Sequence, residues 1–256
     1  MKVLILDTAA AAADRVAGLI AAELRQRPRA VLGLATGGTM EAVYRALIGL
    51  HRAGEVSFRD ATTFNLDEYV GLSPDHPCSY WHYMREQLFS LIDLPEGAAH
   101  LPHGDAPDPQ AEARRYEAAI RAAGDIDLQL LGLGLNGHIG FNEPTSSLAS
   151  VTRIKTLTRE TREANSRFFP EGTEPPRHAI TTGIATILRA RHLVLIATGE
   201  AKADAVAQVV EGAVSARWPG SALQLHPHAT VVLDRAAASR LELRDYYEEV
   251  HPGGRD

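Results

Sequence analysis

Short apolar runs recur along the chain with polar punctuation between them. They are KVLIL (2–6), AVLGLA (30–35), ATTFNL (61–66), IDLQLLGLG (126–134), TRIKTLT (152–158), HLVLIATG (192–199) and ATVVLD (229–234). Runs of this length bounded by Gly or Asp read as strands. Between them, amphipathic or alanine-rich stretches near 9–25, 40–53, 79–92, 108–123, 182–190 and 200–214 read as helices. Apolar strands alternating with helices predict an α/β fold: a mainly parallel sheet with helices on both faces. No linker or internal repeat divides residues 1–256, so a single domain is expected. The charged stretch 158–180, TRETREANSRFFPEGTEPPRHAI, reads either as a plain surface excursion or as part of a mobile lid over 158–187. The last residues, HPGGRD, are expected to fray.

Composition adds bounds. The chain has 256 residues, 45% of them hydrophobic and 23% charged, enough to build a core without disulfide staples. A net charge of −6 argues against nucleic acid as the main partner while leaving room for a local basic pocket. Cys78 is the only cysteine, so no internal disulfide or thiolate metal cluster forms, and it reads as a bystander thiol beside His76 and His82. The N-terminus MKVLILDTAAAAADRVAGLI imitates a signal peptide, but Asp7, Asp14 and Arg15 interrupt any apolar core. No run approaches the ~20 residues of a membrane span. The protein is expected to be cytoplasmic. Lys2, Lys155 and Lys202 are the only lysines among 26 basic residues, which singles each of them out.

In parallel sheets, ligands sit at the carboxyl ends of strands, and the conspicuous polar residues fall there: Thr36–Thr39, Asp67, Asn136–Glu143 and Lys202. AVLGLATGGTMEAVYRALIGL reads as strand, glycine turn and helix, which aims free N–H groups at one point and makes an anion cradle. It lacks the Lys and Ser/Thr of a Walker A loop. In ATTFNLDEYVGL, one of the adjacent acids Asp67 and Glu68 reads as a cap for the next segment, the common outcome, or else Asp67 reads as a partly desolvated general base.

Residues 132–137, GLGLNG, carry the glycine spacing of a dinucleotide loop. That loop requires a helix directly after its third glycine, whereas Gly137 is followed by HIGFNEPTSSLAS. The dinucleotide reading therefore fails. What remains is an irregular loop with Asn136, His138, Asn142 and Glu143, in which His138 and Glu143 suit an acid–base pair.

Taken together, VLGLATGGT, FNLDEYVGL, GHIGFNEP, SSLASVTRIKTLT, TREANSRFFP and LQLHPHA closely resemble the glucosamine-6-phosphate deaminase (isomerase) family, in family order from about residue 30 to 230. The resemblance implies a modified doubly wound α/β sheet. It also implies conversion of glucosamine 6-phosphate and water to fructose 6-phosphate and ammonia, with no organic cofactor and no required metal. By position, Thr36, Gly37, Gly38 and Thr39 would hold the phosphate, with Arg167 and Lys202 supplying positive charge. His138 would assist ring opening, Asp67 would move a proton between C2 and C1, and Glu143 would organise His138.

One position departs from the commonest family pattern: Asn136 stands where many members carry Asp. A neutral Asn cannot favour protonated His138 as a charged Asp would, so His138 is expected to work as a neutral base down to lower pH. Residues matching an interfacial site for the activator N-acetylglucosamine 6-phosphate are Ser146, Ser147, Arg153 and Lys155, with Tyr246 the nearer match for a C-terminal tyrosine. The resemblance thus implies an allosteric homo-oligomer, a hexamer being favoured. An alternative enzyme is a 6-phosphogluconolactonase, whose comparable loop usually continues toward Ser-Leu-Phe-Pro, where this chain has HIGFNEP. A sugar-phosphate-sensing regulator would need a DNA-binding unit, and only about 30 residues precede VLGLATGG.

Overall fold

The computed structural model describes residues 1–255. Seven strands form one parallel sheet: β1 (Lys2–Leu6), β2 (Val31–Leu34), β3 (Thr62–Asn65), β5 (Ala99–His100), β6 (Leu128–Gly132), β9 (His192–Ala197) and β10 (Ala229–Asp234). Their order is β1-β10-β9-β6-β2-β3-β5. Central strands are buried along their length, as β6 and β9 show, which is why they read as unbroken apolar runs. Helices α1 (Ala9–Gln26) and α2 (Gly38–Arg52) pack against each other. α1 buries Ala12, Ala13, Val16, Ala17, Ile20, Ala21 and Leu24, a stripe at helical spacing. Thr8 caps it by accepting from Ala11 N–H at 3.1 Å.

Strand order decides where a ligand crevice can open. From β2 the chain adds β3 and β5 on one side, and from β6 it adds β9 and β10 on the other. The topological switch point therefore lies between β2 and β6, where the loops leaving the two strands diverge.

Three shorter strands form a second, antiparallel sheet in the order β4-β8-β7: β4 (Asp67–Tyr69), β7 (Arg153–Thr156) and β8 (His178–Thr181). This departs from the expected arrangement in one respect. TRIKTLT is an antiparallel edge strand rather than part of the parallel sheet. β4 begins one residue after β3 ends, and Leu66 joins the two sheets by donating to the Leu34 carbonyl and accepting from Thr182 N–H. Asp67 stands at that joint. Between β4 and β5 lies α3 (Tyr80–Gln87), and α4 (Pro109–Ala122) precedes β6. The remaining helices are α5 (Arg159–Asn165), α6 (Ile184–Leu188), α7 (Ala203–Val210) and α8 (Arg244–Val250).

The expected frayed tail is instead docked. Pro252–Gly254 form a short 3-10 turn, Gly254 is buried, and its Cα side closes against the Leu6 side chain. Asp256 lies outside the described residues. Among the described residues no helix is long and apolar enough to cross a membrane.

Candidate active site

A cavity of about 540 Å³ opens at the switch point, lined by the loops after β2, β3 and β6, by α3 and by the segment 160–168. It takes in Thr36, Gly37, Gly38, Thr39, Asp67, Asn136, His138, Arg167 and Lys202. Every sequence-predicted catalytic and phosphate residue except Glu143 thus lines one space, and its volume suits a small polar metabolite.

One end is electropositive. Gly37 precedes α2 without any side-chain cap, so the helix offers its first N–H groups to the cavity. An Arg167 guanidinium nitrogen stands 4.0 Å from where a Gly38 Cβ would lie. Lys202 donates to the Leu133 carbonyl at 2.6 Å; burial and the neighbouring Arg167 hold its ammonium below the ordinary value. A phosphate would relieve both strains at once.

Three tyrosines hold this loop, and sequence reasoning missed them. Tyr44 donates to the Ala35 carbonyl, Tyr83 donates to the Gly37 carbonyl at 3.0 Å, and Thr36 hydrogen-bonds the Tyr80 hydroxyl. Occupying these carbonyls keeps the opposite side of each peptide, the N–H side, turned toward the cavity. Tyr80 and Tyr83 are three residues apart on a predicted helix that opens with Ser79, a signal for a shared face. Tyr80 also donates to Tyr69 Oη at 3.3 Å, which accepts from Asn165 Nδ2 at 3.0 Å, tying the loop to α5.

The other end carries acid–base groups. Asp67 is 6% exposed. It accepts from Phe141 N–H and the Thr181 hydroxyl, but burial, and then the adjacent Glu68 charge, push its carboxyl up to about 8. Of the two adjacent acids it is Glu68 that caps the next segment, beside the N-cap Ser79. Glu68 accepts from Tyr69 N–H at 2.9 Å, Tyr80 N–H at 3.0 Å and Trp81 N–H at 3.1 Å, closing the start of α3. Burial raises Glu68 to about 7 against the pull of those three donors.

His138 is oriented through a relay. Glu143, 1% exposed, accepts from Asn136 Nδ2 at 2.9 Å through Oε2, and from Thr158 N–H and hydroxyl at 3.1 and 3.2 Å through Oε1. An ionised carboxylate only accepts, so the Asn136 amide must point its nitrogen at Glu143 and its oxygen at His138. Asn136 Oδ1 lies 2.7 Å from His138 Nδ1, which must then carry the proton and leave Nε2 as a free acceptor. Burial and the Lys202 charge lower the His138 pKa, against the opposing pull of Glu143. Glu143 itself lies behind Asn136, outside the cavity lining.

The glycines of GLGLNG serve this relay. A Cβ on Gly134 would sit 2.3 Å from the His138 ring, and Gly137 has a φ of +78° with Trp218 packed where its Cβ would be. No helix follows; an Ile139–Asn142 bridge and turns lead on to β7.

The residues matched to an effector site are less unified. Arg153 and Lys155 share one face of β7. Arg153 donates to Asn142 Oδ1 at 2.9 Å, and burial lowers its pKa as it does that of Lys155. The buried Ser146 hydroxyl and Arg153 Nη2 have no partner, while Ser147 is exposed. Tyr246, 59% exposed, rides on α8, which packs on β1 at the opposite edge of the main sheet from β3 and β5. Within one chain it does not join the others. Cys78 lines the cavity, but burial raises its thiol pKa, as suits an unreactive side chain. Among the described residues no group of His, Cys, Asp and Glu is arranged to hold a metal ion.

Fold and cavity define a class: a doubly wound α/β enzyme with an anion cradle facing a buried carboxyl and an oriented imidazole, suited to proton transfers on a small phosphorylated substrate. Residues 6–232 match the family of glucosamine-6-phosphate isomerases and 6-phosphogluconolactonases, and the chain belongs to it. It is 53% identical over 250 residues to a glucosamine-6-phosphate deaminase of Shewanella loihica, covering 98% of this chain and 93% of that protein. It is 56% identical to one of Hahella chejuensis, covering 98% and 95%. A solved structure described as a monomeric glucosamine-6-phosphate deaminase superposes with a TM-score of 0.92 at 48% identity, over 94% of this chain and all of that one. A 6-phosphogluconolactonase from Trypanosoma cruzi shares the fold, with a TM-score of 0.76 at 20% identity, over 94% and 97% of the two chains.

Proposed function

We propose that the protein converts D-glucosamine 6-phosphate and water to D-fructose 6-phosphate and ammonia. The observation that carries this reading is the union, in one cavity, of an anion cradle with Asp67 and the Glu143–Asn136–His138 relay. The full-length likeness to proteins named for that deamination supports it. HIGFNEP, with Glu143 as the anchor of the relay, favours deaminase chemistry over lactone hydrolysis.

In this mechanism the N-terminus of α2, Arg167 and Lys202 bind the phosphate, and the anchored sugar presents its reacting carbons to the far end. His138 Nε2, unprotonated in the relay, takes the anomeric hydroxyl proton and returns it to the ring oxygen, opening the pyranose. The carboxylate of Asp67 removes the C2 proton and delivers it to C1, while the C2 ammonium gives a proton to O1. The resulting C2 iminium is hydrolysed by water, releasing ammonia and leaving the ketose.

Ser146, Ser147, Arg153 and Lys155 remain the proposed effector contacts. Addition of N-acetylglucosamine 6-phosphate should sharpen or left-shift substrate saturation if they act so, and unchanged curves would remove that role. Of the expected lid 158–187, the part proposed to move is 158–177, since β8 is largely buried and paired to both β4 and β7. The test of the reaction is to measure ammonia release from glucosamine 6-phosphate beside acid release from 6-phosphogluconolactone. Ammonia with fructose 6-phosphate supports the reading; acid alone would replace it with lactone hydrolysis.

A further inference from the structure

The surroundings of Asp67 are unlike those of an ordinary catalytic base, because burial and a neighbouring acid outweigh the two hydrogen bonds that favour a charged carboxylate. Asp67 lies at the joint of two sheets and is almost fully buried. Its two donors are shared. Phe141 N–H also serves Thr181 Oγ1 at 3.1 Å, and the Thr181 hydroxyl also reaches the Thr182 carbonyl at 3.4 Å. Gly140 closes over it, with a Cβ there falling 3.3 Å from Asp67 Oδ2.

The titratable groups around it are acids. Glu68 comes from its own strand, Tyr69 from the same strand, Tyr80 from α3 and Tyr116 from α4; each interacts electrostatically with Asp67. Glu68 has three backbone N–H donors at a helix start, so of the two neighbouring acids it ionises first. The basic groups of the cavity are committed elsewhere. Lys202 is bonded to the Leu133 carbonyl, Arg167 stands by Gly38, and the neutral His138 ring faces Asn136. Among the described residues no cation pairs with Asp67.

A buried acid beside an ionised neighbour keeps its proton until a positive charge arrives. The proposed substrate brings one, the ammonium on C2, adjoining the carbon whose proton Asp67 must remove. Resting on the proposed function, we infer that Asp67 is a neutral carboxylic acid in the empty site and that the C2 ammonium ionises it, so the base exists only when an amino sugar is bound. The step balances simply: the Asp67 O–H bond breaks, its proton passes to solvent, and the carboxylate is left paired with the ammonium. Glu68 becomes a positioning residue for specificity. By adding its charge to the effect of burial, it helps keep Asp67 neutral against 2-hydroxy sugar phosphates and so withholds a base from them.

The test uses two unreactive open-chain ligands, 2-amino-2-deoxyglucitol 6-phosphate and glucitol 6-phosphate, which differ only in ammonium against hydroxyl at C2. Titration calorimetry of the wild-type protein at pH 7, repeated in buffers of different ionisation enthalpy, counts the protons released. Protonation changes of the phosphate and of Lys202 are common to both ligands and cancel in the difference. An acid near 8 is roughly nine-tenths protonated at pH 7, so the amino ligand should release close to one proton more per site than the hydroxy ligand. The excess should fall away by pH 9, and a Glu68→Gln variant should reduce it at pH 7. Equal proton counts for the two ligands in the wild-type protein would overturn the inference, whether or not the variant folds. If fructose 6-phosphate and ammonia are formed while the counts are equal, this inference alone fails. If neither product forms, the proposed function itself fails.

Discussion

Replacing Asn136 with Asp exchanges a neutral relay for a charged one without changing its shape. In the parent, Asn136 Oδ1 sits 2.7 Å from His138 Nδ1 and Asn136 Nδ2 sits 2.9 Å from Glu143 Oε2. A carboxylate at 136 places a negative charge against the ring; at a charge separation of ~4 Å and an effective dielectric near 20 the attraction is ~4 kcal/mol. That would raise the His138 pKa by about 3. The same substitution brings two carboxylates into contact where an N–H once lay between them, and sharing one proton between them cancels part of the gain. A net rise of about 1–2 is expected. Protonated His138 cannot accept the anomeric proton, so the acid limb of the kcat/KM pH profile should move up by the same amount. NMR titration of the His138 ring should show the shift independently of turnover. An unmoved limb together with an unmoved ring titration would refute the relay as drawn.

Substitution of Asp67 by Asn should stabilise the fold, and increasingly so with pH. The folded carboxyl is raised to about 8, so the acid favours the folded state least once it must ionise there. Its cost is absent below the unfolded value and grows as pH rises toward 8, reaching at most roughly 5–6 kcal/mol. Even a third of that should raise Tm by about 3–7 °C at pH 8, with little gain at pH 4; a constant difference across pH would contradict the assigned burial. Tyr83→Phe removes the hydroxyl bonded to the Gly37 carbonyl, a loss of ~1 kcal/mol. KM and the inhibition constant for inorganic phosphate should rise together about 2–10-fold with kcat nearly unchanged, whereas a fall in kcat alone would sink the loop-holding role.

Much of this architecture was legible as pattern. Six of the seven apolar runs became strands of the parallel sheet because a strand buried on both faces has no polar positions to disguise it. β4, β5 and β8 were not legible: DEY, AH and HAIT are too short to show a period, and only pairing with distant segments makes them strands. The docked tail escaped for the same reason, since Gly254 is held by Leu6 across the whole length of the chain. At the site, residue types and loop positions sufficed to pick out Asp67, His138, Lys202 and Arg167. The division of labour between Asp67 and Glu68 needed the direction of each side chain, set by the alternation along β4 and the arrival of α3. The decisive feature of Asn136, which way its amide faces, follows only from Glu143 lying beyond it.

The central claim is that Asp67 carries the proton from C2 to C1 in a deamination of glucosamine 6-phosphate. The most direct measurement is the rate of fructose 6-phosphate and ammonia formation by the wild-type protein and by Asp67→Asn, each at saturating substrate near pH 7.5. Equimolar ketose and ammonia are expected from the wild-type protein. In the variant the rate should fall by about 10²–10⁴-fold, with the inhibition constant for inorganic phosphate unchanged. A wild-type protein that forms neither product, or a variant that retains full rate, would contradict the claim.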